Sequence, residues 1–490
     1  MPLSEPANRE QYARLDANPV HRVAESPVST FSIDVDTGSY ANVRRMLNAG
    51  TLPPADAVRA EEFLNYFDYG YAPPAATQVP FSVTTEIAPA PWAADRHLML
   101  VGIKGYEVPK ARIPASNLVF LIDTSGSMQS PDKLELLRAA FKAMAAELRP
   151  QDRVAIVAYA GSAGLVLPTT PGSDKAAIMD ALDRLQAGGS TNGGAGIELA
   201  YLTAAENFID GGVNRVILAT DGDFNVGTVS VEALKTLVAD RRESGIALTT
   251  LGFGTGNYND AMAEQLANIG NGNHAYIDTL AEGRKVLVEE ISSTMMTIAK
   301  DVKIQVEFNP AVVSEYRLIG YENRLLNRED FDNDKVDAGE IGAGHDVTAL
   351  YEIVLAGSGG ERLPPLRYAA ADARTAAAGG EGAARFGGEL AFLRLRYKAP
   401  DGDASRLIEQ PILVSQVASA ASERLRFAAA VAAFADALRG GTHIGEFTLQ
   451  DLSMLAESAR GADKDGYRGE LVYLIEQARS LKVGGVAVSD

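Results

Sequence analysis

The run Leu118 to Met128, LVFLIDTSGSM, restricts what this chain can fold into more than any other segment. Its unbroken apolar stretch reads as a buried strand, and it stops abruptly at Asp123, Thr124, Ser125, Gly126 and Ser127. A D-x-S-x-S cluster at the carboxyl end of such a strand lies where open α/β sheets bind their ligands. One carboxylate beside two hydroxyls suits a hard, oxygen-seeking cation such as magnesium. Taken alone, the cluster is equally a polar turn, since Asp, Ser and Gly all favour turns.

The context comes from two later segments. Gly188 to Gly194, GGSTNGG, is a glycine-rich loop that presents Thr191, and Val216 to Asn225, VILATDGDFN, is a second buried strand ending at Asp221. Three strand-end loops therefore offer Asp123, Ser125, Ser127, Thr191 and Asp221. This pattern resembles the metal-ion-dependent adhesion site of von Willebrand factor type A (vWFA) domains, with all five of that family's positions present. The resemblance implies Mg2+ or Mn2+ bound directly by the hydroxyls of Ser125, Ser127 and Thr191, with Asp123 and Asp221 holding the water shell. Neutral hydroxyl ligands leave a divalent charge poorly compensated, so a vacant coordination position favours an incoming carboxylate. A protein partner's Asp or Glu would complete the shell.

At 490 residues the chain should form two or three domains. A net charge of −19, from 64 acidic and 45 basic residues, argues against nonspecific nucleic-acid binding and against an electrostatic hold on anionic lipid. With no cysteine, disulfides, thiolate ligands and a cysteine nucleophile are excluded. No stretch reaches the roughly 18 apolar residues of a membrane span. The start, MPLSEPANREQYARL, has no apolar signal core. The expectation is therefore either a cytosolic protein or a mature form whose export signal, and any lipid anchor, has been removed.

Residues 1–29, polar and carrying Pro2, Pro6, Pro19 and Pro27, read as a flexible leader. From Thr30 the segment TFSIDVDTGSYANVRRMLNAGTLPPADAVRAEEFLNYFDYGY closely resembles the N-terminal segment of a bacterial group of vWFA proteins, commonly lipoproteins or periplasmic proteins. Helical patterns at 40–48 and 58–67 are followed by alternating strands within 80–108, so 30–114 is expected to combine helices with strands of a sandwich. Residues 115–298 alternate strand and helix. After Ser130-Pro131, Leu134, Leu137, Phe141, Met144 and Leu148 mark one apolar helix face, and GLVLPT at 164–169 reads as an edge strand.

From Asp301 the period returns to two, giving a β-sandwich over 299–420 interrupted by an Ala/Gly-rich insert at 369–388 that reads as a mobile loop. Helices return over 421–490, and 300–482 resembles the C-terminal companion domain of the same group. The expected architecture is a doubly wound, mostly parallel, Rossmann-like α/β vWFA domain inserted in a β-sandwich, with additional N- and C-terminal helices.

Other motifs carry less. Asp34-Val35-Asp36-Thr37 looks like the D-x-D-x-T nucleophile of haloacid-dehalogenase-type phosphatases, without the βαβ alternation that must follow it, and reads as a polar strand end. Asp330, Asp332 and Asp334 mimic the start of an EF-hand loop, but Lys335 and Ile341 occupy its glycine and glutamate positions. The five histidines are scattered, Trp92 reads as sandwich core, and the apolar face of 424–438 as core. Nucleophile-elbow and P-loop motifs do not occur.

The sequence thus points to a non-enzymatic, cation-dependent protein-binding module on an extracytoplasmic bacterial scaffold. A structural envelope protein, in which the ion only ties three loops together, is the alternative. A metal-dependent hydrolase comes third, because only Asp223 stands near the motif as a general base.

Overall fold

The computed structural model describes residues 10–75, 79–222, 231–256, 258–364, 386 and 388–485. Its centre is the segment read as a buried strand. β5 (Ser116–Asp123) pairs in parallel with β6 (Arg153–Tyr159) on one side and β8 (Val213–Thr220) on the other. The sheet runs β10-β9-β8-β5-β6-β7, with β9 at Ala247–Phe253, β10 at His274–Ile277, and β7 (Ala163–Pro171) the antiparallel edge. β5 is buried at every position and apolar from Leu118 to Ile122, because both of its faces are covered. Leu118, Phe120 and Ile122 pack towards α3 (Leu136–Glu147), where Leu137, Phe141 and Met144 recur at helical spacing. Phe120 and Phe141 stack with centroids 4.4 Å apart. Val119 and Leu121 face the other way, onto Ile197 and Tyr201 of α5 (Gly193–Glu206). Between these lies α4 (Lys175–Asp183); α6 (Val231–Glu243), α7 (Asp260–Ile269) and the short α8 (Leu280–Arg284) and α9 (Ile291–Met295) complete the unit.

This α/β unit is inserted into a sandwich. One sheet, β1-β12-β14-β4-β3, joins β3 (Phe81–Ala90) and β4 (Ala93–Gly105), which precede the insert, to β12 (Val313–Ile319) and β14 (Asp346–Leu355), which follow it. The other is built on β11 (Thr297–Phe308), which pairs with β13 (Gly339–Gly342) and β15 (Glu389–Lys398), and β15 with β16 (Ser405–Leu413). Residue parity divides the first sheet between two cores. Met99, Val101 and Ile103 of β4 point into the sandwich with Val347, Ala349, Tyr351 and Ile353 of β14. Leu98, Leu100 and Leu350 point outward, onto a helical layer. That layer comprises α1 (Gly38–Asn48), α2 (Ala60–Asn65), α10 (Glu423–Leu438), α11 (Leu449–Ser458) and α12 (Tyr467–Gly485). α10 is capped by Ser422, whose Oγ accepts from Leu425 N, and its alanine-rich body is buried on nearly every side.

Two expectations are corrected. Residues 10–29 do not form a free leader: Gln11 N donates to Tyr258 O, Asn18 Nδ2 donates to Leu318 O and Gly320 O, and β1 (His21–Arg22) pairs with β12. β2 (Val28–Ser32) runs antiparallel to β11 and buries Phe31 in the sandwich. Pro19 and Pro27 fall outside these strands and do not break them. Trp92 is not sandwich core either. It occupies the β3–β4 turn, packs against the helical layer and meets Phe447 edge-on. The loop expected at 369–388 lies largely outside the described residues.

Three buried guanidiniums fix the insert in its frame. Arg44 of α1 binds Asp278 and Glu282 of the insert and Glu470 of α12. Arg59 binds Asp260 and Glu264 of α7 together with its neighbour Glu62. Arg324, after β12, reaches Asp34, Asp36 and Glu264.

Because β4 is the partner of β14, a fragment of residues 299–490 leaves a long strand edge and the apolar outer face of β14 uncovered. A fragment of 115–298 keeps its sheet and both helical layers. Circular dichroism melts should therefore show a cooperative transition for 115–298 and none for 299–490; the reverse result would overturn this view of the insertion.

Candidate functional site

Asp123 is the last residue of β5, and Asp221 follows β8 directly, so adjacent parallel strands set the two carboxylates at one edge of the sheet. Both are fully buried. The Asp123 side chain turns back onto its own loop: Oδ1 accepts from Ser125 N at 2.8 Å, and Oδ2 accepts from Tyr159 Oη and Thr220 Oγ1, each at 3.3 Å. Burial, resisted by the Ser125 amide bond and reinforced by the Asp221 charge, pushes its carboxyl up to about 6. The same loop brings Ser125 Oγ and Ser127 Oγ to 2.9 Å from each other.

The glycine-rich loop carrying Thr191 is laced to this turn through the backbone. Gly126 N donates to Gly189 O at 3.1 Å, and Gly188 N donates to Thr124 O at 2.8 Å. Thr191 is half-buried just before α5, whose N-terminus is capped by Asn192 Oδ1 accepting from Ala195 N. Gly222 completes the third loop with φ +89°, and a Cβ there would collide with the backbone of Tyr258 and Asn259. Asp223 lies outside the described residues.

The 2.9 Å spacing of the serine oxygens matches the edge of an octahedron whose ligands stand about 2.0–2.1 Å from magnesium, roughly 2.9–3.0 Å. The hydroxyl pair, on the same turn as the buried Asp123 and one strand away from the buried Asp221, has the donor chemistry and spacing to fit a small hard cation. One group at the site was not legible as part of it. Lys133 Nζ stands 2.9 Å from Asp221 Oδ2, and its side chain is almost completely buried. It lies in the first helical turn after Ser130. A lysine is unfavourable against the dipole at a helix N-terminus, and that anomaly was the available signal.

Comparison with known proteins identifies the family. A family model for the von Willebrand factor type A domain matches residues 117–290, one for von Willebrand factor matches 6–100, and one for the C-terminal region of the uncharacterized protein YfbK matches 293–481. The chain is 49% identical over 474 residues to the uncharacterized protein YfbK of Escherichia coli, covering 96% of this chain and 81% of that one. The chain belongs to the YfbK family of vWFA-domain proteins. The uncharacterized protein sll0103 of Synechocystis is 31% identical over 173 residues, 35% of this chain and 39% of that one. Among solved structures, a von Willebrand factor type A protein from Catenulispora acidiphila aligns over 81% of this chain and 89% of its own, at 17% identity and a TM-score of 0.42. The vWFA domain is a module that often mediates metal-dependent protein interaction.

In this YfbK-family chain the motifs set aside on sequence grounds have structural employment. Asp34 and Asp36 are buried at the junction of insert and frame. Asp34, Glu62 and Glu264 converge there with carboxylate oxygens within 4.8 Å of one another. Arg59 and Arg324 occupy the cluster, so it is an ion-pair network and not part of the serine-bearing site. Asp332 and Asp334 pair with Arg396 on the surface. The buried His274 ring meets Thr250 Oγ1 through Nδ1 and Tyr258 Oη through Nε2. A cavity of about 210 Å3 between β10, α2 and β14 is lined by His274, His345, Lys104 and Asp346 and touches none of the five motif residues. Its lysine is engaged by Asp346 and Gly344 O.

The junction makes a pH prediction. Burial, opposed by Arg59 and aided by Asp34, Glu264 and Asp260, pushes the Glu62 carboxyl up to about 7. In the unfolded chain it would titrate near 4.3. The folded state then holds a proton that the unfolded state loses, so this stabilising contribution is full below about pH 4 and disappears as pH rises through about 7. Urea melts of wild type should lose stability from pH 5 to 7.5, whereas Glu62→Gln, with a pH-independent cost for one lost hydrogen bond to Ser39 N, should show a flatter profile. Parallel profiles would count against this assignment.

Proposed function

We propose that this chain is a divalent-cation-dependent protein-binding module that captures an acidic side chain of a partner. Mg2+ or Mn2+ would be held directly by Ser125, Ser127 and Thr191, with Asp123 and Asp221 anchoring its water. The observation that carries this reading is the 2.9 Å hydroxyl pair on a turn whose adjacent strand ends bear two buried carboxylates. Serine and threonine oxygens are neutral, so they leave the ion strongly electrophilic towards a carboxylate.

The module is read as non-catalytic. Among the described residues of the three loops, the titratable side chains are Asp123 and Asp221, and both are engaged. The likeness of residues 30–75 to a bacterial lipoprotein and periplasmic group supports a place in the cell envelope. A removed lipid anchor would be the link to the membrane.

Magnesium titration by calorimetry should give one site in wild type and none in Asp123→Ala; equal binding by both would sink the reading. Thr191→Ala then separates an adhesive ion from a loop-tying one. The adhesive reading expects capture of an envelope protein to fall in the presence of magnesium, with the melting temperature little changed, because Thr191 sits on a surface loop. A large melting shift with unchanged capture would favour a structural ion.

A further inference from the structure

Residues 10–12 belong to the frame, yet they hold a loop of the insert. The loop that follows β9 carries Gly254 at φ +74° and Gly256 at φ +95°, so its backbone is costly to order without outside support. The N-terminal strap gives that support at two points. Glu10 Oε1 accepts from Gly256 N at 3.0 Å, and Gln11 N donates to Tyr258 O at 3.0 Å, with Gln11 and Asn259 forming a parallel bridge. Glu10 is itself fixed. Its nearly buried carboxylate accepts from Arg45 Nη2 of α1 at 3.0 and 3.1 Å and from Tyr12 Oη at 2.9 Å, and Arg45 is tied to Asn42 Oδ1. The strap thereby ties the loop to the position of the frame.

The far side of the same loop bears on the ion site. Gly222 lies so close to Tyr258 Cα and Asn259 N that there is no room for a Cβ. Gly222 N donates to Thr220 Oγ1 at 3.1 Å, and Thr220 Oγ1 donates to Asp123 Oδ2 at 3.3 Å. A continuous path thus runs from Glu10 and Gln11 through the loop, Gly222 and Thr220 to the carboxylate that heads the D-x-S-x-S turn.

We propose that the N-terminal strap is a positioning element of the cation site, with Glu10 and Gln11 holding the loop after β9 in the conformation that sets Gly222, Thr220 and Asp123 for the ion. This rests on the reading of the site given above. When the strap lets go, the loop gains freedom and Gly222 loses its backing, so the binding-competent arrangement is populated less and the apparent affinity for the ion falls in proportion. By linkage the effect is mutual: an ion at the site tightens the strap's hold on the loop. Glu10 and Gln11 do not touch the ion, so they are positioning residues and not ligands. Ion affinity, and partner capture with it, then becomes sensitive to anything that dislodges the strap.

The test uses the full chain with magnesium as the probe. Gln11→Pro removes the backbone donor to Tyr258 O, Gln11→Ala keeps it, and Glu10→Ala removes the acceptor for Gly256 N. Calorimetry should show magnesium bound about tenfold more weakly by Gln11→Pro and Glu10→Ala, within the usual range of site-to-site couplings, and as in wild type by Gln11→Ala. The same coupling is read from its other end in wild type, where magnesium should slow hydrogen exchange in peptides covering Gln11 and Gly256. That measurement needs no variant to fold. A strap that only stabilises the fold would lower the melting temperature of Gln11→Pro in EDTA while leaving magnesium affinity unchanged. Equal affinities across the series, or exchange at Gln11 and Gly256 that magnesium does not alter, would overturn the proposal and leave the site assignment standing. Failure of wild type to bind magnesium would overturn the site assignment and the proposal with it.

Discussion

The architecture depends on burying more carboxylates than guanidiniums where the inserted α/β domain meets its frame. Two chain crossings, after β4 and before β11, leave such a domain free to rock unless other contacts hold it. Arg44, Arg59 and Arg324 supply them, each reaching across the boundary to acids that are themselves almost wholly buried. Desolvating such groups is costly, and the pairs need not stabilise the fold more than apolar residues would. Their effect is directional. Losing one guanidinium would strand several carboxylates at once, so only one docking orientation satisfies them all. Asp36 and Glu61 are held well above the usual carboxylate range, chiefly by burial.

The frame answers a second constraint, the edges left when a sheet is cut by an insertion. β14 needs β4 on one side and β12 on the other, and β12 is in turn covered by β1. The N-terminal strands therefore close edges that would otherwise be open to other chains. On the outer face of the same sheet, the alanine-rich α10 lies close because its side chains are small. It lets α2, α11 and α12 share one core with Leu98, Leu100 and Leu350. Sandwich, helices and strap are thus one cooperative body around a self-contained insert.

What could be read from the sequence was what local chemistry decides. Asp123, Ser125 and Ser127 sit on one turn and Asp221 ends a buried strand, so pattern and family resemblance together singled them out; Thr191 was read as lying on a strand-end loop, but its glycine-rich loop connects α4 to α5. The period-two strands on either side of the insert were legible for the same reason. What escaped depends on contacts distant in sequence. Lys133 was passed over because the helix was read by its apolar face, and its partner Asp221 is 88 positions away. Asp34 and Asp36 read as a polar strand end, yet their partner Arg324 comes from beyond the whole insert. β1 and β2 are short and lie among prolines, and nothing local shows that β12 and β11 are waiting for them.

The site and the junction occupy the same side of one sheet. In a parallel sheet all strands end together, so the carboxyl ends of β10, β9, β8 and β5 form a continuous row. The frame grips the first two: Asp278 follows β10 and binds Arg44, while Asp260 opens the helix after β9 and binds Arg59. The next two end in Asp221 and Asp123 and are left to the serine-bearing loops. The halves touch where Gly222 packs on Tyr258 and Asn259, and where Gln11 of the N-terminal strap bonds to Tyr258 O. Lys133 lies under the neighbouring Gly254, so the loop after β9 is braced by the frame on one side and bears on the site's own cation on the other. The edge is therefore divided between anchorage and recognition, and a glycine without Cβ stands at each point where the two must meet closely.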